Sequence, residues 1–154
     1  MDWLFTNENG ICHVRVAGLL LKEGRLFVQK AIGQEEYALP GGHLQFGETT
    51  EQALLREFQE EFGVRIRCRR LLWTEETFWK WDGKNAHAIG FYYLIDLCEG
   101  AVLPAEFAPL KDHRRVAAGW APIGELDNLP IYPPFLKKEI QNLAEHPKHF
   151  VRRG

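Results

Sequence analysis

The sequence predicts an α/β sandwich in a single domain, and three observations support this prediction. The chain has 154 residues, 45% of them hydrophobic, which is the length of one ordinary domain with its own core. Segments rich in β-branched and apolar residues alternate with two segments of helical periodicity. No repeat, low-complexity tract or linker divides them. We therefore expect residues 1–154 to form one domain in which strands and two helices share a core.

The predicted strands are apolar runs that are bounded by turn residues. Glu23-Gly24 and Asp82-Gly83 each suit a tight turn between two runs, so both are expected to close hairpins. The polar stretch Glu99–Arg115 has neither strand nor helix periodicity and predicts an irregular loop. The predicted strands, in chain order, are Cys12–Leu21, Arg25–Lys30, Val64–Trp73, Thr74–Trp81, Lys84–Leu97 and Val116–Ile123.

Two helices are predicted, one in each half of the chain. Helical periodicity runs over Thr49–Phe62, where Thr49 and Gln52 have the spacing of a capping box and Gly63 is placed to end the helix. The second helix, Phe135–Glu145, follows two prolines and carries an apolar stripe at helical spacing.

Composition excludes several classes of protein. The 19 Lys and Arg residues against 21 Asp and Glu residues give a net charge of −2, whereas domains that bind long nucleic acids are usually strongly basic. Cys12, Cys68 and Cys98 contain no CxxC pair, which argues against a disulfide framework or a zinc site. No apolar run approaches the length of a membrane span, and the N-terminus lacks the features of a signal peptide. We expect a cytoplasmic protein without membrane or long nucleic acid partners.

Three glutamates share one face of the first predicted helix. Glu57, Glu60 and Glu61 stand at positions i, i+3 and i+4, and Ala53 lies on the same face one turn earlier. Four apolar residues are expected to form a separate core face, namely Leu54, Leu55, Phe58 and Phe62.

The acidic face has two interpretations. It can be a solvated surface, which is the common case for glutamates at this spacing. Like charges at i and i+4 destabilise a helix, however, and carboxylates near its C-terminus oppose the helix dipole. A divalent cation would reverse both effects, and Mg²⁺ or Mn²⁺ prefers oxygen ligands that it shares with substrate phosphates. The second interpretation is therefore a metal site.

The segment before the helix offers a second element of such a site. Leu39–Gly42 contains two adjacent glycines, which allow the backbone to approach the helix closely. Arg56 lies between the acidic and apolar faces, and we expect it to anchor a loop carboxylate such as Glu48.

The stretch Gly42 to Val64 resembles the signature of the Nudix hydrolases, the MutT-type family. That signature is a glycine, five residues, a glutamate, seven residues, Arg-Glu, an apolar residue, any residue, Glu-Glu, any residue, a glycine and an apolar residue. The only mild departure is a phenylalanine where an aliphatic residue is usual. The matching positions are Gly42, Glu48, Arg56, Glu57, Phe58, Glu60, Glu61, Gly63 and Val64.

The resemblance implies an α/β/α sandwich around a central mixed β-sheet and hydrolysis of a nucleoside diphosphate linked to another moiety. It implies that Glu57, Glu60 and Glu61 bind Mg²⁺ or Mn²⁺, and we add Gly41 to the metal ligands and Arg56 to the catalytic residues. A metal lowers the pKa of bound water, and a carboxylate then positions or deprotonates that water. The base is expected to be Glu57 or a residue beyond the signature.

Residues outside the signature supply the remaining candidates. Glu99, Glu106 and Asp112 lie on the predicted loop, and Glu106 and Asp112 are kept as a possible extra base or ligand. Gly41 and Gly42 are expected to contact substrate, together with Phe78, Trp79 and Arg67. The two aromatic rings would stack on a nucleobase, while Arg67, which shares a strand face with Arg65 and Arg69, would steer phosphate or simply be solvated.

The leading hypothesis is a hydrolase of a nucleoside triphosphate or another nucleoside diphosphate derivative. An ADP-ribose or nucleotide-sugar pyrophosphatase is the alternative among enzymes. A non-catalytic domain that senses a nucleotide or binds a protein is the alternative from another class. We also expect a homodimer, which is common among small enzymes.

Overall fold

The computed structural model describes residues 1–154 and contains eleven strands and two α-helices. Helix α1 spans Thr50–Phe62, helix α2 spans Leu136–Glu139, and a 3-10 helix spans Ile123–Asn128. The strands are β1 (Leu4–Thr6), β2 (Gly10–Lys22), β3 (Arg25–Ala31), β4 (Tyr37–Ala38), β5 (Gly41–His43), β6 (Ile66–Trp81), β7 (Lys84–Leu97), β8 (Ala108–Pro109), β9 (Val116–Pro122), β10 (Ile131–Tyr132) and β11 (Lys148–Arg153).

The strands form one mixed sheet, as the sequence predicts. Its main order is β10-β4-β3-β2-β7-β6-β11, and β1, β5, β8 and β9 pair beside this path. Three pairs are parallel, β2 with β7, β6 with β11 and β4 with β10. The two predicted hairpins, β2 with β3 and β6 with β7, are antiparallel and confirmed. Strand β6 is continuous through two register shifts, where two separate strands are predicted.

Alternation along the central strands divides the core into two layers. In β2, Val16 and Leu20 face α1, whereas Ala17 and Leu19 face α2. Successive side chains of a strand point to opposite faces, so a strand buried on both faces feeds both cores. We call the two layers the α1-side core and the α2-side core. Helical elements cover both faces of the sheet, which confirms the predicted α/β/α sandwich.

Helix α1 has the predicted ends. The Thr49 hydroxyl accepts a hydrogen bond from the Gln52 amide at 3.1 Å, and the Gln52 side chain accepts one from the Thr49 amide at 2.8 Å. Gly63 ends the helix in the left-handed conformation at φ 66°, which glycine adopts without the usual strain. The capping box and the C-terminal stop are both confirmed.

The buried stripe of α1 differs from the predicted one. Leu54 and Phe58 are fully buried, but Leu55 is 41% exposed. Ala53 and Glu61 are buried instead, so the stripe is rotated toward the acidic face. The rotation occurs because β5 packs against that side of the helix, a tertiary contact that periodicity alone does not contain.

The second helix is much shorter than the predicted Phe135–Glu145. Only Leu136–Glu139 is α-helical, because the amides of Gln141 and Asn142 bond back only three residues and the chain then turns away. Pro147 disfavours helical backbone at the residue before it. Leu136 and Ile140 nevertheless reach the α2-side core, as the apolar stripe predicts.

The chain then forms β11, which is not among the predicted strands. Its sequence, KHFVRR, is mostly basic and has no clear alternation, and its residues are exposed or only half-buried. It is a strand because it pairs in parallel with β6 from Trp73 to Phe78. No helix of the chain has both the length and the apolar character that crossing a membrane requires.

Two adjacent leucines test the observed rotation of α1. We expect Leu54→Ala to lower the free energy of unfolding by about 2–5 kcal/mol, because it leaves a cavity in the α1-side core. Leu55→Ala should cost less than about 1 kcal/mol, because that side chain already contacts water. Urea denaturation of both variants measures the difference. Equal losses would place Leu55 in the core after all.

Candidate active site

The site begins where β5 meets α1. Strand β5 pairs antiparallel with β2, placing Gly42 opposite Val16 and Gly41 opposite Ala17. A Cβ atom on Gly42 would overlap the Glu57 carboxylate, and one on Gly41 would overlap the backbone of Val16. The two glycines therefore allow the predicted close approach of this backbone to the helix.

Arg56 ties the loop to the helix. Its Nε and Nη2 donate to the two oxygens of Glu48 at 3.0 and 2.7 Å, and Nη2 also donates to the His43 carbonyl at 3.0 Å. Its Nη1 donates to Glu57 at 3.0 Å. These contacts confirm the predicted anchoring of Glu48. The hydrogen bond from Arg56 lowers the pKa of Glu48, as expected for a carboxylate with a bidentate arginine partner.

The half-buried Glu57 and the buried Glu61 form an acidic pair. Burial raises the pKa of Glu57 despite its hydrogen bond from Arg56. Burial, reinforced by the charge of Glu57, raises the pKa of Glu61 to about 9. The Oε2 atom of Glu61 is buried and has no hydrogen-bond partner. A buried acceptor without a donor is costly, and a cation bound beside Glu57 would satisfy it.

Glu60 is oriented differently from these two glutamates. Its side chain is 47% exposed and accepts a bond from Arg56 Nη1 at 3.3 Å. No group of three or more acidic, histidine or cysteine side chains is gathered into a metal-binding cluster. The structure therefore brings two of the three predicted metal ligands together. Their carboxylate oxygens, one of them unpartnered, fit a hard divalent cation.

The two candidates for an extra base or ligand lie in different surroundings. The negative charge of Asp112 contributes to the raised pKa of Glu61, so Asp112 stands within electrostatic reach of the acidic pair. Next to it, the Lys111 amide donates to the Glu61 carbonyl at 2.8 Å, which fixes this loop against the end of α1. Glu106 is exposed and makes no hydrogen bond or ion pair.

A cleft of about 530 Å³ lies on the side of β2 that faces away from α1. Two of the proposed substrate-binding residues, Phe78 and Trp79, line it, and so do Leu39 and Arg15. The Phe78 ring is already stacked by its strand neighbours, with the His87 ring centre 4.1 Å away and the Arg153 guanidinium 4.3 Å from its centre. Arg15 connects the cleft with the acidic pair, because its charge also opposes the rise in the pKa of Glu61. The Leu39–Gly42 segment connects them too, with Leu39 in the cleft and Gly42 against Glu57.

Arg67 does not line the cleft. Its side chain is 73% exposed and pairs with Asp96 at 3.5 Å, and Arg69 contacts the same carboxylate. Of the two predicted roles for this strand face, its surroundings match a solvated surface.

The sequence analysis missed a polar cluster on the cleft wall. The Glu75 carboxylate is 1% exposed and accepts hydrogen bonds from the Tyr92 and Tyr132 hydroxyls at 3.1 and 2.7 Å. Arg152 Nε approaches its other oxygen at 3.5 Å. In β6 Glu75 stands beside Glu76 among other polar residues, so no local pattern distinguishes it. Nothing local marks Arg152, because β11 itself is not predicted.

Comparison with known proteins places the chain in one family. A model described as NUDIX domain matches residues 12–143. The RNA pyrophosphohydrolase of Actinobacillus pleuropneumoniae is 35% identical over 120 residues, which cover 68% of this chain and 58% of that protein. The ADP-ribose pyrophosphatase of Methanocaldococcus jannaschii is 29% identical over 90 residues, covering 56% and 52% respectively. The chain thus spans little more than half the length of these relatives.

A solved structure agrees in fold. The MutT protein of Bacillus halodurans superposes with a TM-score of 0.66 at 14% sequence identity, over 90% of each chain. That likeness shows a common architecture. It also agrees with the mixed sheet that the family resemblance implies.

Arg56 offers a test of the anchoring contacts. We expect Arg56→Lys to lower the free energy of unfolding by about 1–3 kcal/mol, because lysine cannot reproduce the bidentate contact with Glu48 and also reach His43. Arg67→Lys is the matched control, since its exposed pair with Asp96 should contribute less than about 1 kcal/mol. Chemical denaturation measures both. An equal, small effect would show that the Arg56 contacts are not stabilising.

His13 offers a test of burial in the cleft wall. Burial lowers the pKa of His13 to about 4, and the charges of His43 and Arg15 act in the same direction. The unfolded chain therefore binds a proton at His13 below about pH 6.5 while the folded protein does not. The contribution of His13 to stability should therefore fall as the pH decreases from about 6.5 to about 4, whereas Glu61, with its raised pKa, contributes with the opposite sign over this range. His13→Gln should reduce this fall, and the exposed control His146→Gln should retain it, as measured by unfolding across that range.

Proposed function

Because the chain belongs to the Nudix family, we propose that it is a single-domain, divalent-metal-dependent hydrolase. It would cleave the diphosphate linkage of a nucleoside triphosphate or another nucleoside diphosphate derivative by attack of water on phosphorus. One observation supports this more than any other. The acidic pair Glu57 and Glu61 packs against the glycine backbone of β5, beside a cleft that Arg15 connects to it.

The metal would be held by carboxylate oxygens of Glu57 and Glu61, joined by Glu60 and the backbone of Gly41. Mg²⁺ or Mn²⁺ suits these oxygen donors. When bound, such an ion lowers the pKa of a coordinated water and offsets the charge that develops on the diphosphate. Arg56 would keep Glu57 in place through its contact at 3.0 Å, while Glu48 and His43 fix Arg56 itself.

A carboxylate must then take the proton of the attacking water. Glu57 is one candidate, and Asp112 is the other because it lies within electrostatic reach of Glu61. Glu106 is a weaker candidate, since it is exposed and makes no contact with these groups. General-base catalysis of this kind contributes roughly 10²–10⁴ in rate.

The cleft would hold the rest of the substrate. Trp79 offers an aromatic face for a base. Phe78 would contribute only its edge, since His87 and Arg153 stack on its ring, and Gly41 and Gly42 offer backbone close to the phosphates. Arg15 makes no ion pair within the protein, so its charge remains available for a phosphate group. A cytoplasmic homodimer acting on small nucleotides and not on long nucleic acid completes the proposal. The names of the relatives add ADP-ribose and RNA to the substrates worth testing.

Replacing the acidic pair tests the catalytic proposal. We expect Glu57→Gln and Glu61→Gln each to lower kcat by at least about a hundredfold, because neutral amides bind a divalent cation poorly. Glu51→Gln, an exposed change in the first turn of the same helix, should leave kcat within about twofold. Turnover is measured on a panel of nucleotides, nucleotide sugars and ADP-ribose with Mg²⁺ or Mn²⁺. Inorganic pyrophosphatase converts the pyrophosphate from triphosphates to phosphate, and alkaline phosphatase releases phosphate from the monoesters that the other substrates give.

The same variants separate enzyme from sensor. Calorimetric titration with Mn²⁺ should show weaker binding to both pair variants than to wild type. Near-wild-type turnover in both variants would contradict the assignment of these residues. Nucleotide binding without any turnover across the panel would instead favour a non-catalytic domain.

A further inference from the structure

The polar cluster on the cleft wall contains more donors than acceptors. Glu75 uses one oxygen to accept from both tyrosine hydroxyls and its other oxygen to meet Arg152. The carboxylate is also 1% exposed. Its accepting capacity is therefore directed into the protein, and Glu75 itself presents little to a molecule in the cleft.

Arg152 is the member of the cluster with free hydrogen-bonding capacity. Its guanidinium group lies over the Tyr132 ring, 4.8 Å from the ring centre, and its side chain is 37% exposed. Within the protein its side chain hydrogen-bonds Glu75 through Nε and also interacts with the Tyr132 hydroxyl. A guanidinium group has five N–H donors and no acceptor, so most of its donors remain unused.

The charge of Arg152 is balanced where it stands. The Glu75 carboxylate faces it at 3.5 Å, so the pair carries no net charge toward the cleft. Arg15, by contrast, makes no ion pair and influences the acidic site. An anionic phosphate would favour the uncompensated arginine, whereas a neutral carbonyl oxygen suits the compensated one. This difference orients a nucleotide with its phosphates toward Arg15 and its base toward Arg152.

We propose, on the basis of the proposed function, that Arg152 is a specificity-determining residue that selects bases with a carbonyl group over bases with an amino group. The guanidinium hydrogens of Arg152 that are not used within the protein can donate to a carbonyl oxygen of the base, as guanidinium groups do to guanine. An amino group in the same position would place donor against donor. The Trp79 ring adds stacking that every base can use. The preferred substrates are nucleotides of keto bases.

Two matched pairs of nucleotides isolate this contact. ITP and ATP differ at the six position of the purine, and UTP and CTP differ at the four position of the pyrimidine. We expect wild type to have a kcat/KM at least about fivefold higher for the keto member of at least one pair. In Arg152→Met the ratio should fall to within about twofold, because methionine keeps the apolar stem without the donors.

Two further variants control for charge and for folding. Arg153→Met changes the neighbouring arginine, which stacks on Phe78 at 4.3 Å but does not line the cleft, and it should retain the preference. Arg152→Met leaves Glu75 without its cation, so the double variant Glu75→Gln/Arg152→Met removes both charges and should also lose the preference. Thermal melts check that each variant folds. If Arg152→Met does not fold, the double variant, which leaves no buried charge without a partner, tests the preference in its place.

Three outcomes would overturn the inference. The first is a wild-type enzyme without keto preference, and the second is a preference that survives Arg152→Met. The third is inhibition by pyrophosphate that weakens in Arg152→Met while the ratio of kcat/KM between keto and amino nucleotides stays the same. The last outcome would make Arg152 a phosphate ligand. Calorimetric binding of ITP and ATP reports the preference without turnover. Absence of hydrolysis therefore counts against the proposed function, and equal binding counts against this inference.

Discussion

The close contact between the Gly42 backbone and the Glu57 carboxylate is the constraint on which the site depends. It exists because position 42 has no side chain and because Arg56 holds both partners, bonding His43 on one side and Glu57 on the other. Without that arginine, three acidic groups of the loop and helix would face one another uncompensated. The fold thus concentrates negative charge at one place and stabilises it with a single guanidinium group, leaving Glu61 as the member without a donor.

The central strand β2 connects this acidic site to the cleft. Its residues alternate between the two cores, so Val16 lies toward α1 while Ala17 and Arg15 lie toward the cleft. The backbone segment from Leu39 to Gly42 also runs from the cleft to the acidic site. The acidic site and the cleft therefore meet at β2, one on each side of the strand. A change in cleft residues can alter recognition without touching the carboxylates, provided that β2 keeps its register.

Features that depend on local sequence were predictable. The capping box, the hairpin turns and the acidic pair all lie within a few residues of their partners, so spacing carries the information. Contacts between segments far apart in the sequence could not be predicted from spacing. Strand β11 exists because β6 offers it an edge, and Leu55 is exposed because β5 rotates the buried stripe of α1. The predicted Phe135–Glu145 helix was too long because the chain turns away after the first helical turn. Arg152 was missed for the same reason, since its strand has no pattern of its own.

The parallel pairing of β2 with β7 also has a consequence for folding. It joins Gly10–Leu20 to Asn85–Ile95, so a long loop must close before the two strands can bond. The β6–β7 hairpin, by contrast, pairs residues that are near neighbours in the chain and can form early. In the sequence, strand β5 and helix α1 lie between β2 and β7, the two strands of this slow pairing. We therefore expect the part of the cleft wall that the β6–β7 hairpin supplies to form before the acidic site. The acidic site takes shape only when β2 pairs with the hairpin.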